Sequence, residues 1–172
     1  VQNLLTVLTA VDQLREQGYQ LPSASVKEAL CHTRALNGLQ GRWQVINRKP
    51  LVVLDVAHNP DGMQQVMQQL HKMDFKRLHV VMGMVKDKAV EEVLQLLPQM
   101  ANYYFTQSHI PRALPANELQ QLAAAYKLDG TVFDDVNMAL TAAMHQADAN
   151  DLILVCGSVF LVGEVDLQHW KL

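Results

Sequence analysis

The chain has 172 residues, of which 49% are hydrophobic and 18% are charged, and its formal net charge is −3. This length suits one ordinary domain with a sizeable core. No apolar run approaches the ~20 residues of a membrane-spanning helix, and no broad basic field is available to neutralise phosphates. Neither a membrane nor a nucleic acid is therefore expected as a partner.

Two cysteines, Cys31 and Cys156, lie far apart in the sequence, and Cys156 belongs to the apolar run LILVC. A buried free thiol is favoured over a disulfide, which predicts a reducing compartment and a cytoplasmic location. No secretory signal peptide is visible at the start of the chain.

The first forty residues are predicted to be mainly helical. Apolar residues recur at helical spacing in VQNLLTVLTAVDQL, so a first helix should end near Gln17, just before Gly18. A shorter helix is predicted over residues 25–33, with Ser23 or Ser25 as its cap. Because the chain begins inside a helix and without a methionine, we expect it to be a piece of a longer protein.

From position 51 onward, apolar runs alternate with segments of helical periodicity. This alternation predicts an α/β, doubly wound, mostly parallel sheet with right-handed crossovers and helices on both faces. A further strand is predicted in GRWQVI, upstream of the alternation. The predicted strands are LVVLDV, LHVVMG, NYYF, GTVF and LILVCG. The predicted helices are residues 61–72, 87–97, 116–127, 135–147 and 159–167.

Unusual polar residues follow the predicted strands, at the edge where ligands bind in open parallel sheets. Asp55, His58 and Asn59 follow the first strand of the alternation, and Ser158 follows the last. Each also has a purely structural explanation, because Asp55 can cap a turn, Asn59 and Pro60 can start a helix, and Ser158 can cap one. The residues alone predict a polar edge that favours anions.

Other motifs narrow the chemistry. Lys88 and Arg112 lie in the loops after the second and third predicted strands, where a solvated helix start and a surface ion pair are the structural alternatives. The seven histidines form no H-E-x-x-H motif, the cysteines form no C-x-x-C, and no G-x-x-x-x-G-K-[ST] occurs. Ser158 also lacks the G-x-S-x-G context of a hydrolase nucleophile.

Five motifs then occur in a characteristic order: GRWQ, VVLDVAHNPDG, GMVKDK, PRALPANELQ and CGSVFLVGEV. Together they resemble the C-terminal domain of folylpolyglutamate and dihydrofolate synthases, members of the Mur ligase superfamily, and the resemblance covers essentially the whole chain. It implies a Rossmann-like C-terminal domain in residues 41–172. Residues 1–40 would then be the end of a preceding ATPase domain and the linker.

The resemblance implies an ATP-dependent amide ligase. In this family a carboxylate of folate or dihydropteroate is phosphorylated by ATP with Mg²⁺, and the amine of L-glutamate then displaces phosphate. The domain closes over its own N-terminal ATPase domain, which carries the P-loop and most Mg²⁺ ligands. The chain by itself is therefore expected to be inactive.

The resemblance also implies two groups of binding residues, which agree with the chemistry of their ligands. An arginine meets phosphate oxygens through paired hydrogen bonds, and a carboxylate accepts hydrogen bonds from ribose hydroxyls. The ATP-binding residues would be Arg42, Asp55, His58 and Asn59. The glutamate-binding residues would be Ser158, Lys88 and Arg112.

Three alternatives remain open at the level of sequence. One is a Mur-type ligase that joins a different amino acid to a different carboxylate. Another is a non-catalytic module that binds a nucleotide or another anion by itself. The third is an interaction domain without a ligand site, in which Arg42, Asp55 and Ser158 are all replaceable.

Overall fold

The computed structural model describes residues 2–86 and 89–170. The chain divides into two compact units, Val1–Leu39 and Gln40–Leu172. The first unit is helical. Its helices are α1 (Gln2–Glu16), α2 (Ser23–Cys31) and α3 (Thr33–Asn37).

The helices of the first unit agree only partly with the sequence prediction. Helix α1 ends at Glu16, and Gly18 follows with φ +93°, as its position predicted. Helix α2 begins two residues before the predicted start, with Pro22 as its cap and no capping bond from a side chain. The predicted serine cap is wrong because the Ser23 hydroxyl instead accepts a hydrogen bond from the Arg15 guanidinium, 3.1 Å away.

The second unit is built on a six-stranded sheet with the order β1-β2-β6-β3-β4-β5. Strand β1 is antiparallel to β2, and the other neighbouring pairs are parallel. The strands are β1 (Gln44–Arg48), β2 (Leu51–Leu54), β3 (Leu78–Met82), β4 (Asn102–Phe105), β5 (Gly130–Val132) and β6 (Leu152–Cys156).

Helices cover both faces of this sheet, which confirms the predicted doubly wound fold. The helices are α4 (Pro60–Leu70), α5 (Val90–Gln95), α6 (Ala116–Ala124), α7 (Val136–Gln146) and α8 (Val159–Gly163). Helices α4, α5 and α6 contribute to one apolar core, whereas α7 and α8 contribute to the core on the opposite face. The chain moves outward from β2 to β5 and returns through α7 to β6. The strand order therefore reverses beside β6, where open α/β sheets bind their ligands.

Several boundaries differ from the prediction for identifiable reasons. The strand predicted in GRWQVI begins only at Gln44, because Gly41 and Trp43 have φ +68° and +48°, outside the extended region. The last predicted helix ends at Gly163, a residue that disfavours helix. Helix α5 begins at Val90. The start predicted for it, Asp87, lies outside the described residues.

The centre of the sheet is fully buried, and the predicted free thiols are confirmed. Every residue of β6 is buried, and both Cys31 and Cys156 are free. Burial raises the pKa of the Cys156 thiol well above its ordinary value, so this cysteine stays protonated and behaves as a small apolar side chain. Within residues 2–86 and 89–170, no helix has the length and apolar character required to cross a membrane.

Candidate functional site

The carboxyl ends of the central strands are held close together by two glycines. A Cβ atom on Gly157 would lie 2.6 Å from the carbonyl oxygen of Gly83, and one on Gly83 would lie 2.6 Å from that of Thr106. Gly157 also has φ +105°, which side chains disfavour. The loops after β6, β3 and β4 can therefore approach one another only because these positions lack a side chain.

Asp55 follows β2 directly and uses both carboxylate oxygens to hold the backbone. Asp55 is buried, with a relative exposure of only 8%. Oδ2 accepts a hydrogen bond from the Trp43 N–H at 2.8 Å, and Oδ1 accepts one from the Ala57 N–H at 2.9 Å. Each oxygen retains a further lone pair. Asp55 thus joins the turn before β1 to the turn after β2.

The turn that carries Arg42 is further fixed by Gly41. The Gly41 carbonyl accepts from the Val56 N–H at 2.7 Å, and the Gly41 N–H donates to the Gln44 side chain at 2.8 Å. A Cβ atom on Gly41 would lie 2.5 Å from Cγ1 of Val56, so a side chain does not fit. The Arg42 side chain is exposed and makes no hydrogen bond or ion pair with any described residue.

His58 and Asn59 complete the turn after β2 in different ways. Nδ1 of His58 lies 2.9 Å from the Val56 carbonyl oxygen. A carbonyl oxygen can only accept, so Nδ1 is the donor in this contact, and His58 is exposed. Asn59 caps α4, since its Oδ1 accepts from the Gly62 N–H at 2.8 Å, and Pro60 is the first helical residue. The structural alternative for Asn59 is therefore confirmed.

Ser158 lies on the same edge as Asp55, after the neighbouring strand. The pairing of Leu54 with Val155 aligns the two strand ends, and the Gly157 N–H donates to the Ala57 carbonyl at 3.0 Å. Ser158 is 3% exposed, and its Oγ accepts from the Phe160 N–H at 3.1 Å. Ser158 therefore caps α8, while its hydroxyl hydrogen remains able to donate to another acceptor.

Arg112 lies beside the residues that follow Ser158. Its guanidinium carbon is 4.7 Å from the centre of the Phe160 ring, within the range of a cation–π contact. The Arg112 carbonyl accepts from the Lys86 N–H at 2.9 Å, which joins the loops after β3 and β4. The structure thus places Arg112 beside α8, the helix that follows Ser158. Lys88, the remaining predicted glutamate contact, lies outside the described residues.

Sequence reasoning singled out the loop after β4 but missed its polar side chains. His109 Nδ1 lies 2.8 Å from Glu164, and this hydrogen bond, together with the carboxylate charge, raises the pKa of His109. The hydroxyls of Thr106 and Ser108 are buried without a hydrogen-bond partner among the described residues. The polar run TQSH marks this loop, but a contact from His109 to Glu164 spans 55 positions and has no local signature.

The described part of the chain contains no metal-binding cluster. In residues 2–86 and 89–170, no three His, Cys, Asp or Glu side chains are grouped as a metal ion would require. A cavity of about 910 Å³ lies against α7, lined among others by His109, Asp135 and Trp170, and neither Asp55 nor Ser158 lines it.

The second unit is an α/β domain of the doubly wound class, whose members bind ligands at the carboxyl edge of the sheet. Residues 41–159 match the family described as Mur ligase, glutamate ligase domain. The chain belongs to this family, which confirms the resemblance noted from its motifs.

Relatives and solved structures point to folate enzymes. The dihydrofolate synthase/folylpolyglutamate synthase of Escherichia coli is 30% identical over 159 residues, covering 91% of this chain and 36% of the relative. The structure of E. coli FolC in complex with DHPP and ADP has a TM-score of 0.74 at 31% identity, covering 90% of this chain and 36% of that one. The chain therefore spans about a third of the length of these proteins.

A relative of different specificity also matches. The UDP-N-acetylmuramoyl-L-alanyl-D-glutamate–2,6-diaminopimelate ligase of Prochlorococcus marinus is 29% identical over 183 aligned positions, covering 98% of this chain and 34% of the relative. The fold is thus shared across ligases that act on different substrates.

Proposed function

We propose that this chain works as the C-terminal domain of an ATP-dependent ligase that adds L-glutamate to folate or dihydropteroate. The observation that carries the proposal is the meeting of the Asp55 turn and the Gly157–Ser158 turn at the reversal of strand order, in a glutamate ligase domain. The similarity to dihydrofolate and folylpolyglutamate synthases supports the choice of acceptor.

The proposal assigns the β2 side of the edge to ATP. Arg42 is exposed and unpaired among the described residues, so its guanidinium is available for a phosphate. Asp55 keeps lone pairs for ribose hydroxyls in addition to the two backbone amides that it holds. His58 uses Nδ1 within the turn, which leaves Nε2 for the nucleotide. Asn59 is included among the ATP-binding residues because it lies in the same turn.

The proposal assigns the β6 side of the edge to glutamate. The Ser158 hydroxyl donates to a substrate carboxylate while its oxygen still accepts from Phe160. Arg112, stacked on Phe160, provides positive charge near that carboxylate. Lys88 belongs to this group by its match to the family motif.

In the proposed reaction, an acceptor carboxylate oxygen attacks the γ-phosphorus of ATP and ADP leaves. The glutamate amine then attacks the acyl carbon, phosphate leaves and an amide bond forms. Residues of this chain bind and orient the two substrates. The P-loop, the ligands of the accompanying Mg²⁺ and the folate pocket belong to the N-terminal ATPase domain, whose end and linker we place in residues 1–40. Both cysteines are free, which suits a cytoplasmic enzyme.

The full-length protein tests this proposal directly. Incubation with ATP, Mg²⁺, L-glutamate and either dihydropteroate or tetrahydrofolate should release ADP and yield an acceptor enlarged by one glutamyl residue, as measured by mass spectrometry. Omission of glutamate is the control. ADP release without a glutamylated product from either acceptor would contradict the proposal.

A second candidate is a Mur-type ligase of another specificity, which the similarity to the diaminopimelate ligase favours. The same assay decides between them when it includes a UDP-muramoyl peptide acceptor together with diaminopimelate. Product formation from that pair, and none from the folate acceptors, would establish the second candidate.

A further inference from the structure

The turn that bears Arg42 has a backbone conformation that requires support. Gly41 and Trp43, on either side of Arg42, have φ +68° and +48°. A residue with a large side chain rarely adopts a positive φ, so contacts elsewhere must hold Trp43 in place. The Trp43 side chain packs against the apolar core, and its backbone N–H donates to Asp55 Oδ2 at 2.8 Å across twelve positions of sequence.

We infer that Asp55 is a positioning residue for Arg42. The Asp55 carboxylate holds the Trp43 amide with one oxygen and the Ala57 amide with the other, and so fixes the turn against β2. The direction in which the backbone presents Arg42 depends on this turn, because the Arg42 side chain has no partner among the described residues that would hold it otherwise. This role rests on the proposed function only in so far as Arg42 contacts ATP.

The inferred role differs from a direct contact between Asp55 and the nucleotide. If Asp55 only binds ribose, its loss and the loss of Arg42 act independently and their effects multiply. If Asp55 also positions Arg42, its replacement lowers activity more while Arg42 is present than when Arg42 is absent. A double-mutant cycle separates the two cases.

The first experiment measures amide hydrogen exchange at Trp43 in the full-length enzyme. Asp55→Ala should accelerate the exchange of this amide by about tenfold or more. Asp135→Ala is the matched control, since the Asp135 carboxylate also accepts from two backbone amides, those of Asn137 and Met138, at 2.8 and 2.9 Å. The control should leave the Trp43 amide unchanged. Should Asp55→Ala fail to fold, Asp55→Glu, which displaces the carboxylate, carries the same expectation.

The second experiment measures kcat/KM for ATP in the full-length enzyme with Arg42→Ala, Asp55→Ala and the double variant. Asp55→Ala should lower kcat/KM by a factor about tenfold larger when Arg42 is present than when it is absent, because the loss of the proposed ribose contact is common to both backgrounds. Equal melting temperatures for Asp55→Ala and Asp135→Ala would remove stability as the cause.

The outcomes are distinct. Unchanged exchange at Trp43 in Asp55→Ala would overturn the inferred hold on the turn. Multiplying effects in the cycle would overturn the positioning of Arg42 and leave a direct contact. Absence of ligation by the unmodified enzyme would instead overturn the proposed function and the nucleotide role of Arg42, while amide exchange would still decide whether Asp55 holds the turn.

Discussion

At the scale of single residues, the site consists of side chains that also hold the backbone. Asp55, Asn59 and Ser158 each accept hydrogen bonds from backbone amides. Such bonds fix the direction of the side chain, because a capping oxygen has little freedom to turn. Under the proposed function such a residue has a structural role and a binding role, and experiments must measure both stability and substrate constants to separate them.

For Ser158, one substitution tests the structural role and the proposed binding role separately. In the full-length enzyme, Ser158→Ala should raise the KM for glutamate with little change in the KM for ATP, because it removes a hydroxyl donor on the glutamate side. It should also lower the free energy of unfolding by about 1 kcal/mol, since the cap of α8 is lost. The measurements are steady-state kinetics and thermal melting.

The control for Ser158 is Asp135→Ala, which removes the cap of α7. It should destabilise the domain to a similar degree and change neither constant. An unchanged glutamate KM in Ser158→Ala would leave the cap as its only role.

Arg42 is the opposite case, a side chain without a structural partner in the described part of the chain. Arg42→Ala in the full-length enzyme should lower kcat/KM by about ten- to a hundredfold, the loss expected for a charge-assisted contact to phosphate. The melting temperature should not change, because the side chain is exposed. Arg48→Ala is a suitable control, since Arg48 is also exposed and pairs in the sheet with Leu51, at the opposite edge. Loss of folding in Arg42→Ala would contradict this prediction.

At the scale of elements, a buried polar network ties the amino ends of the central strands to α7. Nδ1 of His79 on β3 lies 3.0 Å from the Tyr104 hydroxyl on β4, and Nε2 lies 3.4 Å from Asp151, next to β6. The Tyr104 hydroxyl donates a hydrogen bond to Oε1 of Gln146, on α7, at 2.9 Å. Arg77 adds an ion pair to Asp151 at 2.9 Å. This edge of the sheet lies opposite the candidate site, so we expect the network to stabilise the sheet and not to contact substrates.

The network makes stability depend on pH. Burial lowers the pKa of His79 below its ordinary value of 6.5, although the hydrogen bond and charge of Asp151 oppose this. The unfolded chain therefore binds this proton first as pH falls, and the free energy of unfolding should decrease below about pH 6.5. Urea unfolding at a series of pH values measures the decrease. His79→Gln should reduce it, whereas exposed His145→Gln should not; an equal decrease in all three proteins would contradict the assignment.

Asp151 acts in a more acidic range. Burial raises its pKa, but hydrogen bonds from the Asp148 N–H, Arg77 and His79, together with the charge of Arg77, more than compensate, and the pKa lies below the ordinary 3.8. Its contribution to stability is complete above that value and is lost as pH falls below it. The two groups therefore weaken the fold in successive pH ranges.

Particular elements show which parts of the fold and of the candidate site can be predicted from the sequence. NYYF was predicted with the bounds that the structure shows, because its three aromatic residues are followed directly by the polar residues Thr106 and Gln107. The start of β1 was missed because Trp43 has a positive φ and its N–H donates to Asp55, twelve positions away. The partnership of His79 with Asp151 spans 72 positions and likewise lies beyond any local pattern. The predicted strands placed Asp55 and Ser158 at one edge of the sheet, but the backbone amides that donate to them could be identified only in the folded structure.

At the scale of the whole molecule, the proposed function predicts that this chain alone is incomplete as an enzyme. No G-x-x-x-x-G-K-[ST] motif occurs in its sequence, and such a loop supplies most contacts to ATP phosphates in P-loop enzymes. The purified 172-residue chain should therefore fold but neither hydrolyse ATP nor ligate glutamate. Release of phosphate is the measurement, with Arg42→Ala as a check for contaminating ATPases. Turnover that disappears in Arg42→Ala would contradict the prediction.

The place of β6 in the sheet also bears on how the protein is made. Of the six described strands this one comes last along the chain, yet it lies between β2 and β3 and pairs with both. While a ribosome has not yet released residues 152–156, the inner edges of two apolar strands have no partner, and open edges of this kind invite pairing with other chains. Nascent chains and products of premature stop codons before β6 should therefore depend on chaperones far more than the completed protein does.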